Sequence, residues 1–156
     1  MSRQRIVLAV GLPGSGKSRW FARRGIIPLS SDWLRQVLCD DPAEQRHQKW
    51  IFQTLRRMVR VRLRLGRPVT YVDATNLTRP ERRQYFRIAR EYGCDMEAIY
   101  FDVPLEVCRK RNRRRRRVVP EEAMELLAGR LRPPTRAEGF RKITRVDPAG
   151  KTRQRS

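Results

Sequence analysis

The chain has 156 residues, which is the size of one domain that buries a core without disulfide or metal support, so a multidomain assembly is excluded. Lysine and arginine number 37 against 16 aspartate and glutamate residues, giving a net charge of +21, and 32 of the basic residues are arginines. Such a positive field favours polyanionic partners, and nucleic acid is the first candidate. Part of the arginine excess is accounted for by solvated helix faces.

Cysteine and hydropathy patterns restrict the setting of the protein. Three cysteines, without a C-x-x-C pair, and a single histidine leave little for a zinc site and indicate reduced thiols. No stretch approaches a membrane span, and the apolar run at 6–10 is too short for a signal peptide. We therefore expect a cytoplasmic protein without a membrane partner.

Apolar runs alternate with amphipathic segments along the chain. In chain order the pattern predicts a strand at 6–10, a helix at 17–24, a strand at 26–29, helices at 32–41 and 43–65, a strand at 69–72, a helix at 79–92, a strand at 96–101, helices at 104–117 and 120–130, and a strand at 140–146. This order predicts parallel β-α-β units in a three-layer α/β/α sandwich with a parallel sheet of about five strands. We expect one domain at 1–147, with Trp20 and Trp50 in its core, and a flexible polar tail at 148–156.

The first strand runs directly into a glycine-rich segment. Residues 11–18 read Gly-Leu-Pro-Gly-Ser-Gly-Lys-Ser and match G-x-x-x-x-G-K-[ST] between a strand and a helix. In such a loop the backbone amides bind phosphate, the lysine reaches the β and γ phosphates, and the serine hydroxyl binds Mg²⁺. The predicted phosphate-binding residues are Gly11, Pro13, Gly14, Ser15, Gly16, Lys17 and Ser18, with Ser18 as the metal ligand. The segment predicts a bound nucleoside triphosphate and leaves open whether water or another acceptor receives the phosphate.

Two acidic residues follow predicted strands, at the sheet edge where ligands of parallel sheets bind. Asp32 can act as a general base on a hydroxyl group, or it can stabilise the helix dipole as a first-turn residue. Arg35, three residues later, can hold a phosphate beside that hydroxyl or simply pair with Asp32. Asp73 can bind Mg²⁺ through water, fix an arginine, or cap the following turn.

In combination these segments resemble the 5′-hydroxyl polynucleotide kinases of bacteriophages and bacteria, which are adenylate-kinase-like P-loop phosphotransferases. The resemblance rests on 11–18, Asp32-x-x-Arg35, Asp73-Ala-Thr-Asn76 with Arg79-Pro-Glu-Arg-Arg83, and Asp102-Val-Pro104 leading to Lys-Arg111-Asn112. It implies a P-loop kinase fold with a helical lid at about 109–131, ATP with Mg²⁺ as the donor, and DNA or RNA 5′-OH ends as acceptors. It also implies the cytoplasm of a bacterial or phage-infected cell.

The resemblance also assigns roles to single residues. It makes Asp32 the general base on the 5′-OH, and it makes Arg35 the ligand of the phosphate on the 3′ side of the terminal nucleoside. Asp73 belongs to the acceptor site, with Thr75 and Asn76 as supports. Lys17 and the lid residues Arg111 and Arg115 contact the donor phosphates, and the arginine run at 113–117 allows a neighbour in place of Arg115. The D-x-D-x-T signature of the phosphatase domain that several members carry is absent from the sequence.

The basic run at 109–117, interrupted only by Asn112, is interpreted as a lid over bound nucleotide or as a solvated basic helix. Two further functions remain as alternatives. One is a kinase for a small-molecule acceptor such as a nucleoside, a sugar or an antibiotic. The other is a non-catalytic, nucleotide-dependent nucleic-acid-binding protein, which the pair of Asp32 and Arg35 disfavours.

Overall fold

The structure, a computed structural model, describes residues 3–155; residues 1, 2 and 156, which belong to the predicted domain and tail, lie outside the described residues. The strands are β1 (Arg5–Val10), β2 (Leu29–Ser30), β3 (Val69–Asp73), β4 (Asp95–Phe101), β5 (Lys142–Val146) and β6 (Thr152–Arg155). The helices are α1 (Lys17–Arg23), α2 (Ser31–Cys39), α3 (Gln48–Arg64), α4 (Arg79–Tyr92), α5 (Leu105–Arg113) and α6 (Glu121–Arg130), with a short 3₁₀ helix at Arg136–Glu138.

All of these strands form one sheet in the order β2-β3-β1-β4-β5-β6. The first five are parallel, and β6 runs antiparallel to β5. Side chains of β1 alternate between the two faces. Ile6 and Leu8 pack in the cluster that holds α3 and α4, whereas Val7 and Ala9 pack with Phe21 of α1. Helices therefore cover both faces, and the predicted three-layer α/β fold is confirmed.

Several predicted boundaries differ from the structure. The strand expected at 26–29 is reduced to Leu29–Ser30, and Ile27 is exposed. The helix expected from 43 begins at Gln48. The helix expected to run through 117 ends at Arg113, because a helix of consecutive arginines gains no buried face and accumulates like-charge repulsion.

The two tryptophans expected in the core differ in their burial. Trp20 is partly buried and packs edge-on against Phe21 and Phe101. Trp50 is 65% exposed, so its predicted core position is wrong. Trp50 precedes Ile51 and so lies off the every-fourth-residue stripe that α3 buries against the sheet.

The tail expected to be flexible contains a strand. Residues 152–155 pair with β5, so the sheet has six strands rather than about five and is not wholly parallel. A turn sets up this pairing, because the Asp147 carboxylate accepts hydrogen bonds from the backbone N–H groups of Ala149 and Lys151, both at 2.9 Å. The strand sequence Thr-Arg-Gln-Arg has no apolar residue, and its backbone pairing with β5 accounts for its order.

A small core cluster lies beneath the glycine-rich loop. Leu12 from that loop packs with Leu77, Val103, Cys108 and Met124, which joins the loop to α5 and α6. All three cysteines are free. Within residues 3–155, no helix combines the length and the apolar character needed to cross a membrane.

Candidate active site

The glycine-rich loop between β1 and α1 is fixed by the surrounding backbone. The N–H of Gly11 donates to the carbonyl oxygen of Thr75, at 3.1 Å. Gly14 has a φ of 81°, and a Cβ there would lie 2.6 Å from the carbonyl oxygen of Cys108. Only glycine fits at position 14, because any other residue would be strained at this φ and its Cβ would collide with α5. The path of the loop at Gly11 and Gly14 is therefore set by contacts with neighbouring backbone.

Lys17 lies buried at the start of α1. Its Nζ donates to the carbonyl oxygens of Gly11, at 2.9 Å, and of Leu12, at 2.8 Å. Burial lowers the pKa of Lys17 to about 8, the carboxylates of Asp73 and Asp32 oppose this shift, and the charge of Arg115 adds to it. The charges of Asp32 and Arg115 therefore both act on Lys17.

Ser18 and Asp73 meet at the loop. Asp73 ends β3, the neighbour of β1 in the sheet, so its carboxylate comes to the same sheet edge as the loop. The Ser18 hydroxyl donates to Asp73 Oδ2, at 2.7 Å. Burial raises the pKa of Asp73, although Lys17 and the hydrogen bond from Ser18 lower it in part. Two oxygen ligands of the kind that Mg²⁺ prefers are therefore adjacent.

Asp32 lies in the first turn of α2, directly after β2. Ser30 caps this helix, because its Oγ accepts a hydrogen bond from the N–H of Trp33. The Arg35 Nη1 donates to Asp32 Oδ1, at 2.8 Å, and Arg35 Nη2 donates to Gln48 Oε1, also at 2.8 Å. The ion pair considered as an alternative is thus present. The Asp32 side chain is 41% exposed, whereas Arg35 is buried.

Residues 113–118, which we call the arginine segment, bring two more cations to Asp32. Arg115 Nη2 lies 3.6 Å from Asp32 Oδ2, and Arg115 Nη1 is buried with no hydrogen-bond partner among the described residues. Arg117 Nη1 contacts Asp32 Oδ1. Arg117 could not be distinguished in the sequence, because a run of identical residues shows no pattern of inward positions once the helix has ended.

Asn112 holds the two ends of the arginine segment together. Its side chain is fully buried, its Nδ2 donates to the carbonyl oxygen of Val119 at 2.6 Å, and its Oδ1 accepts from the Val119 N–H at 2.9 Å. In the sequence Asn112 was expected only as part of the motif that follows Pro104. The sequence does set it apart, since Asn112 is the one uncharged residue among positions 109–117, and the other eight are basic.

Arg111 of α5 contacts the glycine-rich loop. Its Nη1 donates to the carbonyl oxygen of Ser15, at 3.4 Å, and its Nη2 donates to the carbonyl oxygen of Pro148, at 2.6 Å. Arg111 therefore joins the loop to the turn before β6. Gly16 lies beside this guanidinium group, since a Cβ on Gly16 would be 3.5 Å from Arg111 Nη1.

The remaining predicted residues have mixed positions. Asn76 is buried with a φ of 48°, and its Nδ2 donates to the carbonyl oxygen of Ala9 at 2.8 Å, so its side chain supports β1. Thr75 contributes its carbonyl oxygen to Gly11, as described above. Pro13 is half-buried in the loop. The structure thus brings Lys17 and Ser18 together with Asp73, and it brings Asp32 together with Arg35 and Arg115. The Asn76 side chain instead donates to backbone carbonyl oxygens.

A glycine-rich loop between a buried strand and a helix, with carboxylates ending or following two neighbouring strands, defines a P-loop nucleotide-binding domain with a kinase-like fold. The chain belongs to the AAA domain family AAA_33, whose sequence profile matches residues 6–134.

Solved structures share this fold at low sequence identity. A chain of the Pnkp1/Rnl/Hen1 RNA repair complex matches with a TM-score of 0.70 and 22% identity, over 84% of this chain and 45% of that one. A gluconokinase from Sinorhizobium meliloti matches with a TM-score of 0.63 and 17% identity, over 97% and 86%. The APS kinase CysC from Mycobacterium tuberculosis matches with a TM-score of 0.53 and 23% identity, over 72% and 70%. The chain thus spans less than half the length of the RNA repair protein.

Proposed function

We propose that this protein is a polynucleotide kinase that transfers the γ-phosphate of ATP to the 5′-hydroxyl end of DNA or RNA. The observation that carries the proposal is the position of Asp32. It lies directly after β2, beside the strand that ends at Asp73, and Arg35, Arg115 and Arg117 contact its carboxylate. Its charge also raises the pKa of the buried P-loop lysine in part. A carboxylate across the cleft from a phosphate loop suits transfer to an alcohol, because an alcohol must lose a proton as it attacks.

In the proposed reaction the 5′-hydroxyl oxygen attacks the γ-phosphorus, and a new O–P bond forms. The bond between that phosphorus and the β–γ bridging oxygen breaks, ADP leaves, and the hydroxyl proton passes to a carboxylate oxygen of Asp32. Lys17, Arg111 and Arg115 supply positive charge beside the loop. Such charge stabilises the phosphoryl group, whose transition state spreads negative charge over its oxygens.

The residues at the loop fit a magnesium ion. Ser18 Oγ and Asp73 Oδ2 lie 2.7 Å apart, and the burial that raises the pKa of Asp73 makes a nearby cation favourable. Within residues 3–155 no group of three or more histidine, cysteine or acidic side chains forms a metal cage. Mg²⁺ at kinase sites needs none, because one or two protein ligands, phosphates and water hold it. When bound, it neutralises charge on the β and γ phosphates.

The choice of a polynucleotide acceptor rests on charge. Arg35 is buried beside Asp32, and the arginine segment adds two more guanidinium groups, so the site presents excess positive charge to an acceptor. The net charge of +21 acts in the same direction. The fold itself does not separate the acceptors, since a chain of an RNA repair complex, a gluconokinase and an APS kinase all share it.

The test offers ATP labelled in its γ-phosphate to matched oligonucleotides that end in a 5′-hydroxyl or a 5′-phosphate, both as DNA and as RNA. We expect label on the 5′-hydroxyl strands only. Asp32→Asn is expected to lower transfer by about 100-fold or more, because general-base catalysis contributes on that order, while ATP affinity stays unchanged. Asp40→Asn is the matched control at the C-cap of the same helix, an exposed position with φ 55° that asparagine adopts readily.

The same assay decides between this proposal and its alternatives. Transfer to gluconate, adenosine 5′-phosphosulfate or a free nucleoside, with none to strands, would establish a small-molecule kinase. Strand binding with no transfer would establish a non-catalytic binding protein. A strand acceptor is also expected to bind progressively more weakly as salt rises, because its phosphates release counterions on binding. Full transfer by Asp32→Asn would remove the proposed base.

A further inference from the structure

The acceptor side of the cleft contains more positive charge than its own carboxylate can balance. Arg35, Arg115 and Arg117 all lie within 4 Å of Asp32, which is the one carboxylate within that distance of Arg115 or Arg117 in residues 3–155. Arg35 and Arg117 both contact the same oxygen, Oδ1. Three guanidinium groups around one carboxylate leave the cluster with two excess positive charges.

The two arginines of the arginine segment act on different halves of the site. The charge of Arg115 lowers the pKa of Lys17 and also that of Asp73, so Arg115 acts on the phosphate loop. The charge of Arg117 instead contributes to a lowered pKa of Arg35, behind the larger effects of burial and Asp32. The contacts agree, because Arg115 approaches Oδ2 of Asp32 and Arg117 lies on Oδ1 beside Arg35.

The backbone of the segment fixes which arginines point inward. The helix ends at Arg113, and the bends that follow leave Arg115 and Arg117 partly buried while Arg114 and Arg116 are exposed. Asn112 closes the base of this loop through Val119, as described above. Arg117 is therefore held at the Asp32 carboxylate by the chain path as well as by charge.

Arg117 competes with the proposed reaction for Asp32. An oxygen that accepts hydrogen bonds from two guanidinium groups has less capacity to accept the proton of a hydroxyl. A phosphate group competes for a guanidinium fork, because it offers oxygens in matching geometry and forms charge-assisted hydrogen bonds as a carboxylate does. Arg117 shares its carboxylate oxygen with Arg35, whereas a phosphate has further oxygens to accept from it. A phosphate bound next to Asp32 would draw Arg117 from the carboxylate and balance the excess charge.

We propose that Arg117 is a specificity-determining residue that covers the Asp32 carboxylate and leaves it for a phosphate carried by the acceptor next to its hydroxyl. This inference rests on the proposed function, since it takes Asp32 as the base. An acceptor with such a phosphate draws Arg117 away from Asp32 and frees the carboxylate for its hydroxyl group. An uncharged alcohol does not, so Arg117 still contacts Asp32 when that alcohol binds.

The experiment compares two acceptors that differ by one phosphate, a nucleoside 3′-phosphate with a free 5′-hydroxyl and the same nucleoside without phosphate. We expect Arg117→Gln to lower kcat/KM for the phosphorylated acceptor about tenfold to a hundredfold, mainly through KM, as loss of a charge-assisted phosphate contact does. The value for the plain nucleoside is expected to stay constant or rise. Arg117→Lys keeps the charge and is expected to restore part of the preference.

Arg116→Gln is the matched control, because Arg116 is the exposed neighbour of Arg117, and its preference is expected to equal that of the wild type. An unchanged preference in Arg117→Gln would overturn the inference. Equal losses for both acceptors would also overturn it, since they would show a structural role. Circular dichroism and thermal unfolding verify that each variant folds.

A binding measurement separates failure of this inference from failure of the proposed function. Calorimetric titration with the two acceptors needs no phosphate transfer. If the wild type transfers phosphate to neither acceptor and to no 5′-hydroxyl strand, the proposed function fails. Weaker binding of the phosphorylated compound alone by Arg117→Gln would then still support the contact between Arg117 and the acceptor phosphate. Transfer to strands combined with equal binding by wild type and Arg117→Gln would retain the function and reject the inference.

Discussion

Two regions of the site are held in place by different interactions. The donor half is the glycine-rich loop with Lys17, and the acceptor half is Asp32 with the arginines that contact it. Around the phosphate loop, backbone contacts position the glycines, since the Gly11 N–H bonds to Thr75 after β3 and Gly14 lies directly against α5. The buried Lys17 side chain adds hydrogen bonds to two carbonyl oxygens of the loop. Around Asp32, side-chain charge does it, through guanidinium groups from α2 and the arginine segment. Asp32 is also 41% exposed, whereas Lys17 is buried.

This difference separates what is permanent from what can exchange. Steric packing against backbone has no competitor in solution, so the loop keeps its shape whatever is bound. An ion pair on a partly exposed carboxylate is weak, and it is open to competition from phosphate. A kinase of this design would hold its donor site ready and let the acceptor's own charge complete the other half.

The largest effect is expected from filling the close approach at Gly14. Gly14→Ala places a methyl group 2.6 Å from the Cys108 carbonyl oxygen at a φ of 81°, and we expect it to cost about 3 kcal/mol of unfolding free energy and most of the ATP affinity. Gly150→Ala is the control, because its φ of 82° is equivalent and nothing lies within 4 Å. It is expected to cost about 1 kcal/mol. Equal losses in denaturant titrations would show that packing does not fix the loop.

At Asn112 we expect a smaller loss of unfolding free energy, together with a large change in the mobility of the arginine segment. Asn112→Ala removes both hydrogen bonds to Val119, which we expect to cost about 2 kcal/mol and to free the arginine segment. Trypsin cleaves after arginine, so limited proteolysis at 113–117 reports this freedom directly. Asn76→Ala also removes a buried side-chain hydrogen bond, to Ala9, and is expected to leave cleavage there slow. Unchanged cleavage in Asn112→Ala would show that the segment is held by its ion pairs alone.

The parts of the molecule built by apolar pattern could be predicted from sequence. The run that became β1 is buried on both faces and appears as a continuous apolar segment. The runs that became β3 and β4 contain a few polar residues but are apolar at most positions. The phosphate loop was also predictable, because its glycines at positive φ are required by the local backbone conformation and appear in the sequence as a motif. β6 carries no such signal, because backbone pairing and the turn at Asp147 order a strand of polar residues.

The acceptor half shows why the rest could not be predicted. Spacing placed Asp32 and Arg35 on one helix face, and the ion pair between them follows. Arg117 reaches the same carboxylate only because the helix ends at Arg113 and the chain bends back to Val119. That geometry depends on long-range packing of Asn112, which a single sequence with a uniform run of arginines does not display.

The smallest expected effect is a pH dependence confined to the donor half. Burial gives Lys17 a pKa of about 8, below its ordinary value, so the free chain loses this charge as pH rises through 8, while bound triphosphate favours the charged form. ATP affinity is therefore expected to fall by up to about tenfold per pH unit above 8, a range in which the phosphates of ATP stay fully ionised. Titrations in EDTA, which removes metal, measure this dependence. Lys17→Arg stays charged throughout and is expected to give a flat profile, so a matching decline in that variant would locate the titrating group elsewhere.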